Sequence, residues 1–389
     1  MGNQRYKIER HRKERVKPDL VLLGVVLVLA LWGIFALGTA TFPLSLDRFG
    51  TAYYYFFHQG YMFLAGIILG YILYRLPIEK IKKYSFALFL INLFLLFLVF
   101  APKIGVMSKG AARWLNIFGF TLQPSEFLKF SFLFYLSAWI SVRAKTMFKK
   151  REKTKKQISE LLFPFIIMLA VLMLGLFLQK DITTLLIILL TAMAVYFFSP
   201  APFWHTLVLV CLGIVILGIF IAVEPYRLHR ITTYLNPSED PMGKGWQIKQ
   251  AAIAIGSGKI IGVNDGLGLG MSRQKFGFLP ESQTDSIFAI IAEEGGFVGA
   301  FILIALFLVF CQRGFRVALC HKNEFQGFLA FGLTFWITSQ AFYNIAGITA
   351  ILPLGGVPLP FFSYGGSHLI VELMACGVLL NISKSTNNE

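Results

Sequence analysis

Asp285 closes a stretch in which glycines, cations and carboxylates crowd together. Gly266-Leu-Gly-Leu-Gly-Met-Ser-Arg-Gln-Lys275 runs on through Phe-Gly-Phe-Leu-Pro-Glu281-Ser-Gln-Thr-Asp285. Glycines let a backbone approach a ligand closely, and Arg273 and Lys275 bring positive charge. The stretch is no dinucleotide fingerprint, since it follows no strand and opens no helix directly. Asp285 stands at the mouth of an apolar run, where a helix N-terminus favours its ionised form and partial burial opposes it. A carboxylate so placed can accept a proton from a bound hydroxyl. The alternative is plain capping, because Thr284 or Asp285 ahead of an apolar run is ordinary N-cap chemistry. Glu293 and Glu294 lie deeper in the same run, where adjacent carboxylates need partners or water. They serve either a cavity or a structural salt bridge.

A second group is Arg113-Trp-Leu-Asn followed by Gln123-Pro-Ser-Glu126-Phe-Leu-Lys129. Pro124 suits the first turn of a helix, and Glu126 and Lys129, three residues apart, share one face and can pair. An ion pair inside a membrane segment is a functional candidate, with a purely structural bridge as the alternative. Asp181, after Gln179 and Lys180, adds a carboxylate at the same side. The third group is Pro358-Leu-Pro-Phe-Phe-Ser363-Tyr-Gly365-Gly366-Ser367. A Gly-Gly turn feeding a helix N-terminus presents backbone N–H groups to an anion such as phosphate, and a plain glycine turn is the alternative. Carboxylates, cations and glycine turns gathered above a lipid-facing body suit a lipid-linked pyrophosphate substrate.

The elements that position these residues are membrane helices. Of the 389 residues 56% are hydrophobic, 40 of them Phe, and apolar runs of about 20 residues recur along the chain, long enough to cross a hydrocarbon core. This predicts an all-α integral membrane protein of about ten transmembrane helices. The spans are placed at Leu20–Ala40, Tyr53–Leu73, Ser85–Ala101, Gln123–Val142, Leu161–Leu178, Ile182–Phe198, Trp204–Val223, Ser286–Phe310, Phe325–Ala350 and Ser367–Ile382.

The net charge of +16 first suggests nucleic acid, but the basic residues sit in short loops between apolar runs, as membrane topology requires. Arg5–Lys17, Arg75–Lys83, Arg143–Lys156 and Arg313–Lys322 together hold 22 of the 36 Lys and Arg. Placing them inside predicts cytoplasmic N- and C-termini. The domain plan is a basic tail at 1–19, a polytopic membrane domain at 20–383 and a cytoplasmic tail at 384–389. A large extracytoplasmic loop at 224–285 is too long for an idle connection. The N-terminus does not read as a secretory signal, given its long basic tail and spanning-length apolar run. The four cysteines show no paired short spacing and the histidines no clustering, which argues against a disulfide frame or a His/Cys metal centre.

On these residues the sequence resembles the SEDS family, the FtsW and RodA proteins of bacterial cell-wall synthesis, and FtsW more than RodA. The resemblance spans the chain from the first helix to Asn381-Ile-Ser. Besides the three groups above it is carried by Pro225-Tyr-Arg-Leu-His-Arg230 and Gly245-Trp-Gln-Ile-Lys-Gln250. It implies a ten-span fold and a peptidoglycan glycosyltransferase that polymerises lipid II, with Asp285 at the family's catalytic aspartate. Glu126, Lys129 and Asp181 match positions that matter for activity. It also implies a divalent cation (Mg or Mn), a class B penicillin-binding protein as partner, and division or elongation proteins around them at the cell membrane, with the division septum favoured. The sequence departs from the family pattern at Lys180, Thr183, Gln283 and Ser286. Arg273, Lys275 and Lys129 are the expected contacts to pyrophosphate. A lipid II transporter and a non-catalytic scaffold are the alternatives; against transport, the sequence shows neither paired repeats nor broken helices at matching positions.

Overall fold

The computed structural model describes residues 17–108, 111–117, 120–149, 158–223, 232–234, 236, 240, 243–266, 268–321 and 323–386. The motif Pro225–Arg230 and most of the basic N-terminal tail lie outside them, as do residues 150–156 of the basic loop Arg143–Lys156.

Among the described residues ten long helices form the bundle: α1 (Leu20–Phe49), α2 (Tyr54–Arg75), α3 (Ile78–Leu98), α4 (Pro124–Lys149), α5 (Phe163–Leu178), α6 (Ile182–Phe198), α7 (Phe203–Val223), α9 (Ile287–Leu319), α10 (Glu324–Ile348) and α11 (Gly366–Thr386). A shorter helix, α8 (Lys244–Ser257), lies in the long connection. Six of the ten are long and apolar enough to cross a membrane on length and composition alone, and α6 and part of α7 are apolar but shorter. The remaining two, α4 and α10, carry Ser125, Glu126 and Lys129, and Gln326, Gln340 and Asn344, all buried. Polar side chains thus sit on helices that the rest of the bundle encloses, where they avoid lipid. Large apolar side chains such as Phe35, Phe94 and Phe301 face outward, as a lipid-facing surface requires.

The ten-span expectation holds, with three differences. The third helix begins at Ile78, so Lys80, Lys82 and Lys83 of the expected basic loop form its first turns. The chain is also not purely helical. A small antiparallel sheet of β1 (Gly105–Ser108), β2 (Ala111–Ile117) and β3 (Phe120–Leu122) joins α3 to α4, with Gly105 opposite Leu115 and Leu115 opposite Leu122. Such short strands carry too few residues for alternation to stand out beside apolar helices.

The third difference is in α9, which is broken at Gly296 (φ 64°, ψ −162°). The N–H groups of Phe297 and Val298, freed by the break, donate to Lys259 O (2.9 Å) and Ile260 O (3.0 Å) in the loop after α8. A side chain at Gly296 would overlap the backbone of Gly258, Ile260 and Gly262. The loop therefore enters the helix as its missing hydrogen-bond partner, which is how irregular backbone survives at membrane depth.

Where α1 begins, Asp19 caps its first turn by accepting from Leu22 N (3.0 Å) and pairs with Arg313 of α9 at 2.6 Å. Its own N–H donates to Ser383 Oγ of α11 (3.0 Å). This end holds the first helix, the end of α9 and the last helix together. The opposite end carries the N-termini of α4, α6, α9 and α11.

Candidate active site

Those four N-termini surround a cavity of about 620 Å³. Asp285, Glu281, Glu126, Lys129, Asp181, Arg113 and Gly365, all picked out in the sequence, line it. They come from segments as far apart as β2 and α11.

Asp285 is half-buried two residues before α9, whose N-cap is Ser286, with no capping bond from that side chain. Thr284 Oγ1 donates instead to Glu281 Oε2 (2.9 Å). Gly356 (φ 70°) backs the carboxylate: a Cβ there would sit 3.2 Å from Asp285 Oδ2. A side chain is doubly disfavoured, by the left-handed backbone and by the oxygen.

Glu126 and Lys129 pair within the first turns of α4 at 2.8 Å, both almost wholly buried. Lys129 Nζ also donates to Gln340 Oε1 (3.1 Å) and lies 5.0 Å from the Trp336 ring centre. Gln340 then donates to Pro358 O (3.1 Å), linking the charge pair to the segment before α11.

Asp181 is the N-cap of α6. It accepts from Thr184 N (3.3 Å), Thr184 Oγ1 (3.0 Å), Ser125 Oγ (3.0 Å) and Gln123 Nε2 (3.3 Å). These donors satisfy both carboxylate oxygens and tie the start of α4 to α6. Arg113 donates to Gln179 O (3.3 Å) and Lys180 O (2.5 Å). It caps the C-terminal end of α5 and ties β2 to the α5–α6 turn.

The structure separates two expected groups from the cavity. Lys275 Nζ pairs with Glu294 Oε1 (3.3 Å) and donates to Gly270 O, while the exposed Arg273 donates its N–H to Glu293 Oε1 (3.1 Å). Ser272 Oγ donates to Glu293 Oε2. The Ser-Arg-Gln-Lys stretch is thus a buried fastening of loop to α9, and neither cation lines the space beside Asp285. Glu293 and Glu294 realise the structural reading of the two left open. The cations that do line the cavity are Arg113, Lys129, Lys180 and Lys244.

The glycine turn before α11 also differs from an open anion cradle. Gly365 N donates to Gln59 Oε1 (3.3 Å), and Ser367 Oγ accepts from Gln123 N (3.0 Å). Gly366 opens α11. Ser363 Oγ donates to Thr284 O (2.6 Å), and Tyr364 N to Gln283 O (2.7 Å). The segment is a strap across the residues that precede α9. Burial pushes the Tyr364 phenol up to about 12, helped by its neighbours Tyr55 and Tyr54, so it lines the cavity as a neutral group.

Sequence reading missed Gln340, Asn344, His368 and α8. The first three are polar side chains inside apolar runs, a signal as strong as the one that marked Glu126. Gln247 of α8 donates to Ser286 Oγ (2.9 Å), and Gln247 and Lys244 line the cavity.

Below the cavity a second, apolar groove of about 370 Å³ runs between α5, α6 and α7. Ile182 lines both spaces. A cavity lined by charged side chains thus shares a lining residue with an apolar groove, a combination that suits a ligand with a charged head and a hydrocarbon tail.

The chain belongs to the FtsW/RodA/SpoVE family: the family model described as a cell cycle protein matches residues 19–388. A protein named probable peptidoglycan glycosyltransferase FtsW, from Geobacter sulfurreducens, is 37% identical over 371 residues, covering 95% of this chain and 96% of that one. The stage V sporulation protein E of Bacillus subtilis is 35% identical over 374 residues, 95% of this chain and 98% of its own. Among solved structures, a chain of a peptidoglycan synthase complex described as coordinating polymerization and crosslinking is similar at TM-score 0.75 and 25% identity. That match covers 96% of this chain and 99% of the other. The rod shape determining protein RodA of Thermus thermophilus shares the fold at TM-score 0.67 and 23% identity, over 95% and 97% of the two chains.

Proposed function

We propose that this protein is a peptidoglycan glycosyltransferase that polymerises lipid II at the outer face of the bacterial cytoplasmic membrane, in the division branch of its family. The observation that carries the reading is the cavity itself. Asp285 shares one chamber with the Glu126–Lys129 pair and with Asp181 and Arg113, and Ile182 lines both that chamber and the apolar groove of about 370 Å³. The curated relatives with the peptidoglycan glycosyltransferase name, matching over nearly their whole length, support the same reading.

In this mechanism Asp285 takes the proton from the acceptor sugar's hydroxyl as that oxygen attacks the anomeric carbon of the donor. The carbon–oxygen bond to pyrophosphate breaks, and undecaprenyl pyrophosphate leaves with the bonding electrons. Arg113, Lys129, Lys180 and Lys244 supply the positive field for the departing charge; Lys275, paired with Glu294, and Arg273, exposed outside the cavity lining, do not. Holding two lipid substrates in one chamber lowers the entropic barrier to their meeting.

Among the described residues no three His, Cys, Asp or Glu side chains converge as metal ligands. We propose that a divalent cation, Mg or Mn, would be carried by the substrate's pyrophosphate, with Asp285 and Glu281 as carboxylates of the same cavity. Mg²⁺ commonly binds in this way, through one or two carboxylates plus phosphate oxygens. A class B penicillin-binding protein is the proposed partner, supported by the similarity to a chain from a synthase complex.

The test is lipid II polymerisation in detergent with a divalent cation and the cognate transpeptidase, wild type against Asp285→Asn. General-base loss costs about 10²–10⁴-fold, so the variant is expected to make little or no polymer while its unfolding temperature stays close to wild type. Substantial polymer from Asp285→Asn overturns the base assignment. The break in α9 favours a second reading, lipid transport, because half-helices at mid-membrane are a transporter feature. The freed backbone groups, however, are taken by the loop after α8. Polymer from purified wild type decides for the enzyme; no polymer even with the partner moves the reading to transport or scaffolding.

A further inference from the structure

We propose that Glu372 is a positioning residue for Asp285: buried beneath the cavity, it fixes the turn at Phe361 from which the strap grips the backbone of residues 283–285. The proposal rests on the polymerase reading above.

Glu372 lies in the second turn of α11 and is fully buried. A carboxylate is costly in a membrane bundle and needs a reason to be there. Oε2 accepts the N–H of Phe361 at 2.8 Å, and Oε1 has no hydrogen-bond partner among the described residues. Phe361 is thus its one hydrogen-bond partner among the described residues, with the Glu126–Lys129 pair near enough to act on its charge. That residue has φ 67°, a left-handed conformation that a bulky side chain adopts only when its surroundings impose it. The surroundings here are a tight turn: Ser363 N donates to Leu359 O (3.0 Å), and Leu359 N donates to Ser363 Oγ (2.7 Å).

The far side of this turn holds the segment ahead of α9. Ser363 Oγ donates to Thr284 O (2.6 Å) and Tyr364 N to Gln283 O (2.7 Å). Asn344 Nδ2 donates both to Asp285 O (2.9 Å) and to Val357 O (2.7 Å), so it joins the third carbonyl to the start of the strap. Three consecutive carbonyls, 283 to 285, are thus each held by the strap or by a side chain shared with it. An ionised or neutral carboxyl oxygen is a strong acceptor for the Phe361 N–H, and removing it frees the strap's non-glycine residue whose backbone must stay in an unfavoured well. The displacement travels through Ser363 to the backbone on which Asp285 is mounted.

The experiment compares Glu372→Met, which keeps the volume and removes the acceptor, with Glu372→Gln, which keeps a carbonyl acceptor. Lipid II polymerisation rates are normalised to the amount of protein that binds lipid II, and unfolding temperatures are recorded alongside. Glu372→Met is expected to lower kcat by about 10- to 100-fold, as a misplaced reacting group does, with KM changed less than about twofold. Glu372→Gln is expected within about threefold of wild type. Combining Glu372→Met with Ser363→Ala is expected to cost little more than the larger single change, because both act through one strap. A wild-type kcat in Glu372→Met overturns the proposal, as does a Gln variant as impaired as Met or a double variant whose losses multiply. Absence of polymer from wild type tells instead against the polymerase reading.

Discussion

At the scale of single residues, the site is a set of charges whose partners decide what each can do. Glu126 and Lys129 are nearly inaccessible to solvent and bonded to each other and to Gln340. Replacing one member leaves the other charged in a low-dielectric interior, at a cost of about 3–5 kcal/mol. Lys129→Met is therefore expected to lower the unfolding temperature in detergent markedly, and Glu126→Gln/Lys129→Met to recover most of the loss. Equal unfolding temperatures for wild type and Lys129→Met would show that the pair carries no structural load. Asp181 is held differently, by four donors from two helix starts. It joins α4 to α6 whatever else it does. Asp285 is the carboxylate set against the left-handed Gly356 in the lining of the cavity.

At the scale of elements, the sequence was most legible where polarity interrupts a long apolar run, and least where two polar groups satisfy each other. Ten spans and the carboxylate of Asp285 could be read because twenty apolar residues in water-exposed form have no stable alternative to lipid. The assignment of Lys275 to phosphate failed because its partner, Glu294, lies 19 residues away on a helix whose break the sequence does not announce. Gly296 reads as an ordinary small residue until the loop at Gly258–Gly262 is laid against it. In the Gly-Gly turn before α11 the N–H of Gly365 is donated to Gln59 of α2, which favours the plain-turn alternative at that residue. Glu372, a carboxylate in the last span, went unread, because its Phe361 partner lies 11 residues away across a turn. The fastening role of Lys275 has its own consequence. Lys275→Met should reduce the folded yield and the unfolding temperature by stranding Glu294, while the KM for lipid II of the folded fraction stays within about twofold of wild type. A large rise in KM without loss of stability would restore Lys275 to the substrate.

At the scale of the whole molecule, orientation decides whether the cavity can meet its substrate, and two independent features agree on it. The helix ends that surround the cavity are opposite to those that carry Asp19, Arg313 and Lys384. The basic segments Arg5–Lys17, Arg75–Lys83, Arg143–Lys156 and Arg313–Lys322 belong in sequence to the end away from the cavity. Cytoplasmic retention of Lys and Arg next to spans is the basis for the proposal that the cavity faces outward. Cys320 reports on this directly, because it is exposed at the C-terminal end of α9, beside Arg316. Cys376 is buried and Cys311 only partly exposed within α9, whereas Cys211 is exposed within the apolar α7. A thiol facing hydrocarbon forms little thiolate and reacts poorly. A membrane-impermeant maleimide is expected to label the protein in inverted vesicles and not in intact right-side-out cells, with the label lost in Cys320→Ser. Labelling from the outside would put the basic segments on the outer face and Asp285 in the cytoplasm. Polymer made there could not reach the wall without export, and the polymerase reading would need a different geometry.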